Sequence, residues 1–209
     1  MIEIWYSNID YLSEDAYLEE LSRFPENLQQ EIEKPHSIQE RKLKLLGRML
    51  VRHYEISEGR DFSWENWKLG RFGKPKMEGG TQFNISHAGS VVAVTFADDE
   101  LGLDIEQDAS VEVNRISKFL HPLEREFIEK SDDQRSSLFY VWTRKEAYLK
   151  AIGTGLQEKL AETNCLEHPV QQDKRWFIQS ERMMMDYWVS VCSQKLREIE
   201  IKEVKYPFK

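Results

Sequence analysis

The triplet Asp104-Ile105-Glu106 and the run Trp142-Thr143-Arg144-Lys145-Glu146-Ala147-Tyr148-Leu149-Lys150 hold the side chains of this sequence best suited to chemistry. On an extended strand residues two apart point the same way, so Asp104 and Glu106 present two carboxylates on one face while Ile105 packs behind them. Glu146 and Lys150 are four apart and share one face of a helix. Each half of the pattern also has a plain reading. Acidic-x-acidic triplets are common on solvent-facing strands, and Glu four residues before Lys is the favourable order of a surface ion pair, about 0.2–0.5 kcal/mol. Brought together, three carboxylates and a lysine would suit a hard divalent cation and a polyphosphate substrate. The chain therefore reads as an enzyme acting on a phosphoanhydride.

The elements that must position these groups are legible in outline. Val91 to Phe96 is an apolar, β-branched run fit for a buried strand. Ala97-Asp98-Asp99-Glu100 then turns the chain, which makes Leu101 to Glu106 the hairpin partner of that strand. Gly70, Gly73, Pro75, Gly79 and Gly80 mark a loop that ends where Thr81 to Ile85 becomes a strand. From Arg115 onward helix patterns appear: Ile116, Phe119 and Leu120; then Pro122 opening a segment with Leu123, Phe127 and Ile128; then Leu138, Trp142, Leu149 and Ile152. Gly153 and Gly155 close the last of these. Trp176-Phe177-Ile178 and Tyr187 to Val191 read as strands, and Lys202 to Lys209 as a surface end.

Residues 13 to 33 carry Glu14, Asp15, Glu19, Glu20, Glu26, Glu31 and Glu33 against the single base Arg23. Residues 41 to 52 hold only bases among their charges. On a helix, Arg41, Lys44, Arg48 and Arg52 fall in one exposed stripe opposite Leu43, Leu46 and Leu50. Such a stripe is either a solvated outer face or an anion site.

The 209 residues are enough for a sizeable core. Hydrophobic residues make up 40%, with six Trp, eight Tyr and ten Phe, so a globular chain is expected rather than a disordered one. No apolar run approaches the roughly 20 residues that span a bilayer, and the amino terminus lacks a basic-then-apolar signal pattern. No membrane association and a cytoplasmic location follow. Cys165 and Cys192 lack metal-ligand spacing and read as reduced structural residues. A net charge of -8 argues against a nucleic-acid partner, whose backbone calls for concentrated Lys and Arg.

Four blocks occur in order: Gly73-Lys74-Pro75-Lys76, Phe83-Asn84-Ile85-Ser86-His87-Ala88-Gly89, Leu101-Gly102-Leu103-Asp104-Ile105-Glu106, and Trp142 to Lys150. In order and spacing they resemble the 4'-phosphopantetheinyl transferases of the large, Sfp-type class. Between them, Phe119-Leu120-His121-Pro122-Leu123-Glu124 is similar to the family's segment entering a helix. The resemblance is close over roughly residues 40 to 160 and loose at both ends.

It implies an α/β (α+β) fold of two similar halves related by a pseudo-twofold axis, joined here near residues 97 to 102. Residues 1–100 would bind the nucleotide of coenzyme A. Residues 101–209 would carry the metal site, the catalytic helix and the carrier-docking surface. It also implies transfer of 4'-phosphopantetheine from coenzyme A to a serine of an apo acyl or peptidyl carrier protein, with release of adenosine 3',5'-bisphosphate. Asp104, Glu106 and Glu146 would hold Mg²⁺ or Mn²⁺, an oxygen-only set that suits these ions better than zinc.

Lys150 would meet the phosphates, and Glu146 would take the serine proton, with a metal-bound water as the rival base. Lys74 would lie near the nucleotide, while Ser86 and His87 would contact its phosphates. His87 counts with Glu146 and Lys150 among the catalytic residues, although a lone His after a strand is more often simply hydrogen-bonded. Lys44 and Arg48 are the candidates for the 3'-phosphate. Trp142 and Tyr148 are assigned mainly to packing. Relatives place basic residues before residue 40, where this chain has Leu28, Glu31 and Glu33, so Lys34 or Arg41 would substitute or affinity for coenzyme A would be weaker.

Docking would involve Phe119, Leu120, Thr154 and Leu156 to Leu160, and the site would be complete in a monomer. The rival readings are an inactive coenzyme A or carrier-protein binding module, and a metal-dependent nucleotide phosphohydrolase.

Overall fold

The computed structural model describes residues 1–70, 73–153, 161–171 and 174–208. In chain order it comprises β1 (Ile2–Asn8), α1 (Glu14–Ser22), α2 (Glu26–Glu33), α3 (Ile38–Ser57), β2 (Trp67–Leu69), β3 (Pro75–Met77), β4 (Gln82–Ala88), β5 (Val91–Ala97) and β6 (Leu101–Gln107). There follow α4 (Val113–Ser117), α5 (Pro122–Glu129), α6 (Gln134–Ile152), β7 (Val170–Gln171), β8 (Arg175–Met183), β9 (Tyr187–Ser193) and β10 (Ile199–Glu203). The architecture is mixed α+β, as expected.

Two four-stranded sheets run β10-β1-β5-β4 and β6-β9-β8-β7. Each contains the same path. A first strand (β1 or β6) leads through helices ending in a long one (α3, 20 residues; α6, 19 residues) to an antiparallel hairpin (β4–β5 or β8–β9). In each hairpin the second strand pairs with the first strand of its half, antiparallel. The halves thus share one topology. The C-terminal strand β10 nevertheless crosses back to pair parallel with β1.

Alternation along the strands decides the layers. Val92, Val94 and Phe96 of β5 face α3, where Leu46 and Leu50 are fully buried. Their neighbours Val91 and Ala93 face the other way, onto Leu103, Ile105, Val189 and Val191 of the second sheet. The inner faces of the sheets therefore pack on one another, with α3 outside the first sheet. On the far side, Ala147, Tyr148 and Leu149 of α6 pack with Ile178 and Cys192 of the second.

Three expectations are corrected. β6 is not the hairpin partner of β5, because both edges of β5 are taken by β1 and β4, and β6 pairs with β9 instead. Residues 202 to 208 are a surface end only in part: Lys202, Glu203, Lys205 and Pro207 are exposed, but Val204 is buried, its N–H is bonded to the Tyr6 carbonyl, and Tyr206 and Phe208 pack on the first core. Finally, Arg48 leaves the exposed stripe. It is only 7% accessible, because α2 brings Glu31 within 2.9 Å of its guanidinium, which also lies over the Trp67 ring.

The expected buried face of that helix, Leu43, Leu46 and Leu50, is in place. Gly153 closes α6 at φ 70°, the left-handed conformation a C-terminal glycine takes at no steric cost. Gly155, Thr154 and Leu156 to Leu160 lie outside the described residues. Among the described residues no helix is long and apolar enough to cross a membrane.

Candidate active site

Asp104 and Glu106 lie on the face of β6 that α6 covers, while Leu103 and Ile105 point into the core between the sheets. Gly102, next on the covered face, sets how close α6 can come. A Cβ there would stand 2.0 Å from the Ala147 carbonyl oxygen and 2.5 Å from the Ala151 nitrogen. With no side chain in between, the helix drops onto the strand and Lys150 reaches Asp104. Sequence reasoning missed Gly102 as a site residue. Its signal was a glycine inside the apolar strand Leu101-Gly102-Leu103, which often marks the close approach of another backbone.

Lys150 Nζ donates to Asp104 Oδ1 at 2.6 Å and to Ser86 Oγ at 3.0 Å, and Ser86 Oγ donates to Asp104 Oδ1 at 2.9 Å. Asp104 Oδ2 is buried and has no hydrogen-bond partner among the described residues. Burial pushes the Asp104 carboxyl above its ordinary value, and the Lys150 ammonium offsets this only in part.

Glu106 and Glu146 are half-buried beside it. Burial, reinforced by the Asp104 charge, pushes each up to about 7, with Lys150 working in the opposite sense. Glu146 adds to the rise at Glu106, and a hydrogen bond from Trp142 opposes it. Trp142 thus does more than pack, whereas Tyr148 is almost wholly buried in the core.

The structure brings Asp104, Glu106, Glu146, Lys150 and Ser86 into one cluster. His87 reaches solvent on the neighbouring strand. Its imidazole is pushed below the usual range, first by desolvation and then by Lys150 and Lys44, so it is neutral at pH 7. Lys74 Nζ donates to the carbonyls of Leu101 (2.7 Å) and Lys150 (3.0 Å), tying the start of β6 to the end of α6. Burial lowers it to about 8. Arg48 lies away from this group, occupied by Glu31. Leu120 is core, while Phe119 is exposed.

A cleft of about 600 Å³ opens beside the cluster. Lys74, Asn84 and Ile85 line it from the first half, and Glu146, Lys150 and Ile152 from the second.

A metal is tested by the donors present. Three carboxylates cluster about the Lys150 ammonium, burial holds two of them protonated up to about pH 7, and one buried carboxylate oxygen has no hydrogen-bond partner among the described residues. These hard oxygens suit a divalent cation of the Mg²⁺ type. As the side chains stand, no group of three donors among the described residues is gathered tightly enough to hold an ion, so the fit is one of donor chemistry.

Residues 100–195, from β6 to the end of β9, match the model of the 4'-phosphopantetheinyl transferase superfamily. Curated proteins to which the chain is similar carry phosphopantetheinyl transferase names. It is 35% identical over 118 residues to 4'-phosphopantetheinyl transferase gsp of Aneurinibacillus migulanus, covering 54% of this chain and 48% of that protein. It is 29% identical over 119 residues to 4'-phosphopantetheinyl transferase Sfp of Bacillus subtilis (strain 168), covering 54% and 52%. To L-aminoadipate-semialdehyde dehydrogenase-phosphopantetheinyl transferase of Rattus norvegicus it is 30% identical over 166 residues, covering 69% and 53%. The chain spans about half the length of these relatives.

Proposed function

We propose that this chain transfers the 4'-phosphopantetheine arm of coenzyme A to a serine hydroxyl of an apo acyl or peptidyl carrier protein. The observation that carries the reading is the cluster of Asp104, Glu106, Glu146 and Lys150 at the edge of a cleft lined by both halves. In this reading the serine oxygen attacks the β-phosphorus of coenzyme A. The bond from that phosphorus to the bridging oxygen breaks, and adenosine 3',5'-bisphosphate leaves with the electron pair.

Lys150 has three N–H donors; Asp104 and Ser86 take two, and the third is available to a phosphate oxygen in the cleft. In that half-buried setting an ammonium stabilises developing negative charge more than it would in water. Glu146, with a carboxyl near 7, is poised to take the serine proton at neutral pH. Neutral His87 donates to a phosphate without adding charge. Lys44, which lies near enough to His87 to lower its pKa, is the better candidate for the 3'-phosphate now that Arg48 is occupied.

Asp104, Glu106 and Glu146 would hold Mg²⁺ or Mn²⁺, which when bound supplies charge neutralisation at the pyrophosphate. The first half serves the nucleotide and the second the metal, the catalytic helix and the carrier, whose acidic surface around the serine would dock near exposed Phe119. With groups from both halves in one chain, we read the protein as a monomer acting in the cytoplasm.

The test is intact-mass spectrometry of purified apo carrier proteins incubated with this protein, coenzyme A and Mg²⁺, beside an EDTA control. One phosphopantetheine added to the carrier serine, and lost with EDTA, is the expected result. Adenosine 3',5'-bisphosphate released without any carrier modified would overturn it in favour of a phosphohydrolase.

A further inference from the structure

β4 and β6 are edge strands of separate sheets, yet they lie against one another. An edge strand leaves alternate backbone N–H groups without a ladder partner, and burying them unpaired is costly. Here two side chains of β4 take the place of a ladder. Asn84 Oδ1 accepts from the Leu103 N–H at 2.7 Å, and Ser86 Oγ accepts from the Ile105 N–H at 3.4 Å, both in buried surroundings. The two residues are 3% and 5% accessible, so little water competes for these bonds.

Ser86 Oγ is then fully used. A hydroxyl has one proton and two lone pairs. The proton goes to Asp104 Oδ1, and the lone pairs take Lys150 Nζ and the Ile105 N–H. This leaves it no capacity for a phosphate oxygen.

We propose that Ser86, with Asn84 beside it, is a positioning residue. The pair fixes the level of β6 against β4, and the Ser86 hydroxyl aims the Lys150 ammonium and the Asp104 carboxylate instead of contacting coenzyme A. The inference rests on the transferase reading for its kinetic consequence, but the seam itself is independent of it.

Two measurements test it. In steady-state transfer, Ser86→Ala lowers kcat at least tenfold with KM for coenzyme A within twofold of wild type, and Ser86→Thr, which keeps the hydroxyl, recovers most of the loss. A rise in KM for coenzyme A with kcat unchanged would place the hydroxyl on the substrate and overturn the proposal. In amide hydrogen exchange, Ser86→Ala speeds exchange at Ile105 and Asn84→Ala at Leu103 by at least tenfold, with Val94 of β5 unchanged. Unchanged exchange at both amides would overturn the seam. Should Asn84→Ala fail to fold, Asn84→Asp keeps the acceptor oxygen and is expected to retain protection at Leu103, whereas lost protection there would count against the seam. The exchange arm needs no activity, so it decides the seam even where no carrier is modified.

Discussion

Glu106 and Glu146 show how few side chains the proposed chemistry rests on. Both are half-buried beside Asp104 with Lys150 as the nearby cation, and both stay protonated up to about pH 7. Glu146→Gln keeps the shape and removes the carboxyl proposed as the base, so the proposed transfer should fall roughly 10²–10⁴-fold with the thermal melt preserved. Wild-type turnover at saturating Mg²⁺ would remove Glu146 from the mechanism. The raised carboxyls also make a stability prediction. Between their unfolded value of 4.5 and about 7 the folded chain binds more protons than the unfolded one, so stability is full below that window and is lost as pH rises through it. The melting temperature in EDTA should therefore fall between pH 5 and pH 8, and Glu106→Gln should flatten that slope. A melting temperature that rises over the same range in EDTA would contradict the assigned environment.

At the level of elements, the site depends on α6 resting directly on β6 at Gly102. A methyl added there meets the Ala147 carbonyl oxygen and Ala151 nitrogen, backbone atoms that cannot rotate away. Gly102→Ala should cost about 1–3 kcal/mol as overpacking and should abolish transfer by lifting Lys150 off Asp104; an unshifted melt with full activity would refute it. A second anchor of α6 is the wholly buried pair Lys145–Glu124, 2.8 Å apart. The same carboxylate accepts the backbone N–H groups of His121 and Cys165, and Lys145 also donates to the Thr163 carbonyl. Glu124→Ala should cost about 3–5 kcal/mol by removing one partner of a buried ion pair, which chemical denaturation would measure.

The faces of these elements were legible from the sequence because they depend only on periodicity. The alternation at Asp104 and Glu106, and the four-residue step from Glu146 to Lys150, are local facts of strand and helix geometry. What was misread depends on partners remote in sequence. Arg48 sits in a basic stripe on any helical wheel, and only the packing of α2 shows that Glu31 draws it inward. β6 follows β5 after a short turn, as a hairpin partner would, and only the capture of β5 by β1 on its other edge sends β6 to the second sheet. Val204, Tyr206 and Phe208 carry no periodic signal before β10 is known to pair with β1.

Across the whole molecule, the repeated topology suggests two units, but the packing makes them one. Ile2, Ile4, Val91 and Ala93 of the first half share a single buried cluster with Leu103, Ile105, Val189 and Val191 of the second. β10 then returns the end of the chain to the edge of the first sheet, and Lys74 of the first half bonds two carbonyls of the second. Separating the halves would expose both inner sheet faces at once, at roughly 25 cal/mol per Å² of apolar surface. Equilibrium unfolding in urea should accordingly be one cooperative transition. It should show the same midpoint through Trp5 and Trp64, which report on the first half, and through Trp176 and Trp188, which report on the second, each pair read in a variant whose remaining Trp are replaced by Phe. Two separated midpoints would mean that the shared cluster does not couple the halves. The cleft between them, on which the proposed chemistry depends, would then be free to open independently of either core.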